Sequence, residues 1–483
     1  MKPVEIKTAS NPSSKSLILL LTKEEKKASA FDFLAEEVKE QIKNVPFSTD
    51  GTFFSSDNKN RMFWGARIPE KQNIDVLKEE LRLLGEKANQ FAQNYNYTEI
   101  FFSGQGSSEE QQAFLEGLLL GAYQFDKYKS QRKSAVLEKV EVRKKSLDKK
   151  AIKELENTIK AVYFARDLMN EPLNNLNAEK LGEEVKEVSR KSGIKAKVWD
   201  RKKIEQEGFS ALLEVNRGSH DDPTFTELTW EPSGAANKNP IVLIGKGIVF
   251  DTGGLSLKGT LNNMDKMKTD MGGAAAVAGA IYLAALNNLP VKLKGLIPAT
   301  DNRPGYNAYA PGDVINSHKG HTIEVLNTDA EGRLIMADAL SYAERFSPEL
   351  TIDIATLTGS AANTFGPHAA AIMGNASEST LQVMEKAGHE TYERVHPLPL
   401  WEEYENLILS DIADVKNSVA GQGSGAIAAG KFLEKFAPTP WLHLDIAGPG
   451  YLPKRMNYRG IHGTGFGVRL LYNFLNHYVS KKN

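Results

Sequence analysis

The sequence predicts an α/β protein of two domains, a smaller N-terminal α/β domain and a larger C-terminal domain built on a mixed sheet flanked by helices. Three observations carry that prediction. The chain has 483 residues, enough for two to three domains at roughly 150 residues each and for a substantial core. Apolar residues make up 41% and charged residues 25%, an ordinary globular balance. Beyond Pro172, short apolar runs alternate with helical patterns, which argues a mixed or largely parallel sheet covered on both faces.

Taken in order, residues 1–12 are polar and lack the charged-then-apolar pattern of a signal peptide. Residues 17–21 form a strand-like apolar run far too short to span a bilayer. A soluble cytoplasmic protein is therefore expected. Residues 31–42 and 76–91 alternate apolar and charged residues at helical spacing, 99–102 reads as a strand and 111–125 as a third helix. The Lys- and Arg-dense stretch 127–150 reads as a solvated connector closing the first domain (1–150), with a nucleic-acid or partner patch as the alternative. The second domain (151–483) opens with a helical pattern over 151–169, which Pro172 should stop. Then 241–244, 293–297, 352–355 and 442–446 read as buried strands, and 274–286, 334–346, 426–436 and 466–474 as helices. There is no internal repeat and no low-complexity tract.

Several chemistries are excluded at once. Lys and Arg total 60 against 61 Asp and Glu, a net charge of -1, so no global pull toward nucleic acid or anionic membrane is indicated. No cysteine is present, which removes disulfides, thiolate zinc sites, iron–sulfur clusters and a Cys nucleophile. The nine histidines are scattered and form no H-E-x-x-H. His318 and His321 read as loop residues, and His443, inside Trp441-Leu-His-Leu-Asp445, as a satisfied strand histidine. The glycines of 421–426 formally fit a dinucleotide fingerprint but follow a polar stretch rather than a strand, so they read as a loop and helix entry. Neither a Walker A sequence nor a G-x-S-x-G elbow occurs.

In open α/β sheets ligands gather at the carboxyl ends of strands. Past the strand at 241–244 come Gly245-Lys-Gly-Ile-Val-Phe-Asp251-Thr-Gly-Gly254 and then Lys258; Asp270-Met-Gly-Gly273 precedes an Ala-rich helix, and Asn327-Thr-Asp-Ala-Glu-Gly-Arg-Leu334 precedes another. If the last segment is extended, Asp329, Glu331 and Arg333 project to one side, because side chains alternate with a period of two. Asp251, Asp270, Asp329 and Glu331 are then four carboxylates in strand-to-helix turns. Converging, they need hard divalent cations, and a metal pair suits hydrolysis of amides or phosphates. Taken singly, each Asp could equally be a helix cap.

Together these segments resemble the cytosolic leucyl aminopeptidase family, dinuclear-metal aminopeptidases that include bacterial peptidase A. The octapeptide 327–334 matches the family signature unchanged. Around it stand Gly245-Lys246-Gly247, Phe250-Asp251-Thr-Gly-Gly254, Asp270-Met-Gly-Gly273, Asn307-Ala-Tyr-Ala-Pro-Gly-Asp313, Ala355-Thr-Leu-Thr-Gly359 and His443-Leu-Asp-Ile-Ala-Gly448. Ala165-Arg-Asp-Leu-Met-Asn170 looks like the opening of the family's catalytic domain, and the resemblance runs over about 160–475.

The resemblance implies one metal held by Lys246, Asp251, Asp270 and Glu331, and another by Asp251, Asp329 (side chain and carbonyl) and Glu331. Two dications would lower the pKa of Lys246 enough for the neutral amine to coordinate. Lys258 would stabilise the oxyanion, and Arg333 would hold a bicarbonate acting as general base toward the metal-bridging water. Thr356–Gly359 and Met267 would line the substrate side. Two departures stand out: the stretch from Lys258 to Asp270 is one residue longer than the common spacing, and Pro449-Gly450 stands where some members carry a bulkier residue.

The implied function is a metal-dependent aminopeptidase of the cytoplasm, using two Mn²⁺ or Zn²⁺ ions with bicarbonate. It would act on peptides with a free N-terminus and assemble as a homo-hexamer, with no membrane partner and no nucleic acid expected. The alternatives are a dinuclear-metal phosphohydrolase, which the intact octapeptide and the Lys ligand oppose, and a DNA-binding regulatory relative, which near-zero net charge opposes.

Overall fold

The computed structural model describes residues 3–22, 33–34, 36, 39–40, 46–57, 61–131, 136–259, 261, 264–419 and 423–482. The helix expected over 31–42 falls mostly outside them. The chain forms two compact units, Met1–Tyr163 with Lys454–Gly460, and Phe164–Pro453 with Ile461–Asn483.

In the first unit, β1 (Glu5–Ala9), β2 (Ser16–Leu21), β3 (Thr52–Ser56), β4 (Met62–Arg67), β5 (Glu99–Gly104) and β6 (Lys139–Arg143) form a six-stranded sheet in the order β1-β6-β5-β2-β4-β3. Every pair is parallel except β3 with β4. The apolar run at β2 is buried along its whole length, as an inner parallel strand should be. The basic stretch 127–150 departs from the connector reading, because it contains β6. Val140 and Val142 in that strand are buried, while the charged residues around them masked the short alternation. The helices Ile74–Asn94 and Ser108–Gly121 are capped by Asn73 and by a Ser107–Glu110 capping box. They cross at Gly85 and Gly117, where an added Cβ would lie 1.9 Å from the other helix's backbone oxygen. The second helix ends at Gly121, short of the expected 125. The 454–460 segment is fastened by Tyr458, whose hydroxyl donates to Glu79 (2.6 Å), and by Arg459 on the same carboxylate (3.1 Å).

In the second unit, β7 (Lys195–Trp199), β8 (Thr224–Trp230), β9 (Ile241–Gly245), β10 (Gly247–Asp251) and β11 (Leu293–Asn302) precede a small sheet of β12 (Val314–Asn316), β13 (Thr322–Glu324) and a later strand, β17 (Val415–Lys416). β14 (Leu350–Ala355), β15 (Ala370–Gly374), β16 (Val395–Pro397) and β18 (Trp441–Asp445) complete the main sheet. It has nine strands in the order β16-β15-β18-β14-β9-β11-β8-β7, with β10 also on β11. The central four, β18, β14, β9 and β11, run parallel, so their carboxyl ends reach one edge together. Val242, Ile244 and Leu296 pack on one face against the Gly332–Ala343 helix. Gly295 meets Ile281 of the Gly272–Leu286 helix on the other. That Ala-rich helix and its approach are apolar enough to resemble a membrane span, but 89% of the window is buried in the fold.

The four strands and four helices expected here all exist, most longer than their apolar signal. β7, β8, β10, β15, β16 and the helices Ala178–Ser192 and Glu378–Thr391 were not expected. These strands are short, at an edge or half polar, and the helices are mostly polar, with only one thin apolar stripe each.

One buried carboxylate ties this scaffold together. Asp338 accepts the backbone N–H of Leu212 (3.0 Å) and of His318 (2.8 Å), joining the Gly332–Ala343 helix to the Ser210–Asn216 helix and the 317–321 turn. Burial pushes its carboxyl up to about 7, against the backbone N–H groups of His318, Leu212 and Ala211. A raised carboxyl favours the fold most below its ordinary value of 3.8, and that advantage is lost as pH rises through about 7. Asp338→Asn sets an amide NH₂ against an N–H donor and should lower stability by about 1–3 kcal/mol. Because the variant lacks the titration, its deficit should be larger at pH 4.5 than at pH 8 in urea unfolding. A deficit that grows with pH would contradict this assignment.

Candidate metal centre

The site assembles at the carboxyl ends of the parallel strands. Lys246 follows β9, Asp251 ends β10, Asn302 ends β11 and Thr356 follows β14. Asp270 lies between the 3-10 turn Met264–Thr269 and the Gly272–Leu286 helix, and Glu331 immediately precedes the Gly332–Ala343 helix. Here the extended reading of 327–334 is corrected. Residues 328 and 329 form a turn, Glu331 is already helical (φ -74, ψ -35) and Arg333 lies in the helix's first turn. The carboxylates meet because the chain turns, not because side chains alternate. None of the three Asp serves as an N-cap: Met271 and Glu331 hold those positions, without a side-chain cap bond.

The geometry brings six expected residues together. Lys246 Nζ lies 2.8 Å from Asp270 Oδ2 and 3.1 Å from Glu331 Oε1, and donates to the Thr356 carbonyl at 3.1 Å. Lys258 Nζ lies 2.7 Å from Asp251 Oδ2 and also pairs with Asp329. Asp251, Asp329 and Glu331 each offer an oxygen, all within 4.8 Å of one another. Two glycines permit the approach. A Cβ on Gly332 would stand 2.4 Å from Lys246 Cε, and Gly253, at φ +87, would place one 2.8 Å from Asp329 Oδ1. Thr356 Oγ1 donates to Asp270 Oδ1 at 2.9 Å, and Met267 contributes its carbonyl to the Asp270 N–H at 3.2 Å.

Burial raises the carboxyls of Asp270, Asp329 and Glu331, and the nearby Asp251 raises each further, against Lys246 and Lys258. Burial opposes charge on both lysines, yet the carboxylates overcome it and hold both ammoniums well above their ordinary value. With all six charged, four carboxylates face two ammoniums, a remainder of -2. Buried oxygen donors with excess negative charge fit hard divalent cations.

Arg333 stands apart. It is buried, donates through Nη1 to the Asn417 carbonyl (2.7 Å), and makes no ion pair with the four carboxylates among the described residues. Burial pulls its guanidinium down to about 10, against Glu331 and Asp445.

Three positioning residues were missed. Asn302 Nδ2 donates to Asp251 Oδ1 (2.8 Å) and the Thr328 carbonyl (2.9 Å), and reaches Glu331 Oε2 at 3.5 Å. Asn417 accepts the Leu326 N–H (2.9 Å) and donates to the Asn327 carbonyl (2.8 Å), clamping the signature turn. Asp445 accepts from the Leu357 N–H, the Thr358 hydroxyl and the Ala447 N–H, fixing the turn after β14. Asn302 was within reach of the strand-end rule, had β11 been read to its full length rather than stopped at 297.

The family model described as the cytosol aminopeptidase family, catalytic domain, matches residues 163–472. A probable cytosol aminopeptidase of Chlorobaculum tepidum is 45% identical over 388 residues, 76% of this chain and 75% of the relative. One of Geobacter sulfurreducens is 43% identical over 367 residues, 74% of this chain and 73% of the relative. The solved structure of the bottromycin maturation enzyme BotP, also known in complex with Mn, superposes with a TM-score of 0.84 at 27% identity, covering 97% of this chain and 100% of that one. Matched along the domain that carries this cluster of carboxylates and lysines, the chain belongs to the cytosol aminopeptidase family and is a metallo-aminopeptidase, a peptide-bond hydrolase.

Proposed function

We propose that this enzyme removes the N-terminal residue of peptides at a dinuclear centre, held on one side by Lys246, Asp251, Asp270 and Glu331 and on the other by Asp251, Asp329 and Glu331. The observation that carries this reading is the convergence of three carboxylate oxygens within 4.8 Å beside a buried Lys246–Asp270–Glu331 cluster. When bound, the two ions supply Lewis acidity and lower the pKa of the attacking water. The chain's own residues do the rest. Asp251 and Glu331 are shared between the two halves, and Asn302 holds both by one amide. Lys258, at the open side of the cluster, stabilises the developing oxyanion. Arg333 holds bicarbonate as the general base. Its buried guanidinium, unpaired with the carboxylates among the described residues, supports that role.

Only a free α-amine can join this donor set, which restricts cleavage to the N-terminal residue. The oxygen-rich donors suit manganese at least as well as zinc, and the complex of BotP with Mn supports manganese. The relatives' name supports a cytoplasmic location, and the family resemblance supports a homo-hexamer.

Two predictions follow from this assignment. Glu331→Ala should lose activity and both ions together, read by metal analysis of the purified protein, and wild-type turnover would sink the dinuclear centre. Asn302→Ala keeps every ligand but frees two of them, so Mn²⁺ affinity should weaken about 10–100-fold in a chelator competition. Unchanged affinity would remove Asn302 from the assembly.

The substrate test separates this reading from a phosphohydrolase. Leucyl-p-nitroanilide should be turned over and its N-acetyl form essentially not, because an amide nitrogen is a poor donor and orientation is lost with it. Equal cleavage of both would mean an endopeptidase. Cleavage of neither, with phosphate-ester turnover, would favour the phosphohydrolase.

A further inference from the structure

His443 was expected to be a satisfied strand histidine, and only half of it is. On β18 its Nδ1 lies 2.6 Å from Asp353 Oδ1, while the other oxygen of Asp353 accepts the Trp441 indole N–H at 2.6 Å. Asp353 and His443 are register partners on β14 and β18, and both are 0% exposed. Yet His443 Nε2 has no hydrogen-bond partner among the described residues. Buried polar atoms are nearly always paired, so an orphan needs a reason. A second orphan is Arg333 Nε, also buried and without a partner among the described residues.

The fold sets the two residues on the same side of the main sheet. Trp441, His443 and Asp445 share one face of β18, by the period of two. Trp441 packs there in the same core as Leu334 and Ile335 of the helix that begins with Gly332 and Arg333. The charges interact accordingly. Burial works against a proton on His443, Asp353 beside it prevails and raises the imidazole overall, Asp445 adds to this, and Arg333 opposes. Asp445 in turn acts on Arg333.

We propose that His443, oriented by Asp353, is a positioning residue for Arg333, fixing the guanidinium through one buried water shared by His443 Nε2 and Arg333 Nε. The hydrogen bonds are complementary. Asp353 imposes the tautomer with hydrogen on Nδ1, leaving the Nε2 lone pair to accept from the water, which itself accepts from the Arg333 Nε–H. A protonated ring gives the same bridge, with the water accepting from both. Nη1 is already fixed on the Asn417 carbonyl, so a second tether at Nε sets the plane of the guanidinium and the direction in which its remaining N–H groups face an anion. This inference rests on the anion-holding role proposed above for Arg333.

The experiment uses the metal-loaded full chain. An Asn side chain places its amide nitrogen where His has Nδ1, and Gln places its own near Nε2. His443→Asn keeps the bond to Asp353 and loses the tether, so kcat should fall about tenfold, with KM and metal content unchanged. His443→Gln should retain more kcat than His443→Asn. A merely structural histidine gives the reverse order, and that order overturns the proposal. In an Arg333→Ala background, His443→Asn should change kcat by less than about twofold. If Arg333→Ala alone leaves kcat untouched, the role of Arg333 falls. If Arg333→Ala is slow but His443→Asn costs the same factor in both backgrounds, only the inference about His443 falls. Should the histidine variants not fold, the ¹⁵N resonance of His443 Nε2 should shift between wild type and Arg333→Ala, and an unmoved resonance overturns the proposal.

Discussion

Four carboxylates that repel one another, three buried and Asp329 half-buried, are brought together at one edge of a sheet, and the rest of the catalytic unit is organised around holding them there. Ionised groups of like sign do not stay buried without compensation. Lys246 lies between Asp270 and Glu331, Lys258 between Asp251 and Asp329, and Asn302 gives its amide to Asp251 and Glu331. Two ammoniums and an amide restrain four carboxylates, two more than the ammoniums could neutralise with all of them ionised. The remaining negative charge gives the site its appetite for cations.

The backbone makes the crowding possible by delivering strand ends in parallel. β18, β14, β9 and β11 share one direction, so Lys246, Asn302 and Thr356 arrive at the same edge from three different strands. Loops then have to be held close, and side chains from outside the charge cluster do this: Asn417 clamps the 326–330 turn, and Asp445 clamps the 356–358 turn. Small residues set how near the pieces come. At Gly332 any side chain would occupy the space of the Lys246 stem, which lies 2.4 Å from its would-be Cβ. Gly332, between Glu331 and Arg333 of the signature, thus acts through volume as much as the charges act through chemistry.

Much of this was legible in the sequence, because strand ends followed by small residues and carboxylates are a local signal. Asp251, Asp270, Asp329 and Glu331 were singled out that way and Lys246 through the family resemblance, although which ions they hold goes beyond it. Where the reading failed, the deciding force was not local. Glu331 is helical because the turn at 328–329 is pinned from Asn417, about ninety positions away in the chain. β6 hid inside a basic stretch because its burial comes from β1 and β5 on either side, not from its own composition. Asn302 carries no charge and was lost when its strand was cut short at the last strongly apolar residue. His443 shows the converse, for its strand and burial were readable while the partner of only one of its nitrogens could be counted.

The choice of lysine at position 246 follows from the same charge balance. A fifth carboxylate there would deepen the repulsion, and an apolar residue would leave Asp270 and Glu331 buried without a counter-charge, which costs several kcal/mol on the order of a broken buried pair. As an ammonium, Lys246 gives Asp270 and Glu331 a counter-charge, with both carboxyls already facing inward although burial holds them above their ordinary values. In the proposed loaded site the same side chain would be a neutral ligand, and would have to give up its proton. One residue would thus serve two states of opposite electrostatic demand. An arginine, which does not give up its proton, could meet only the first of them.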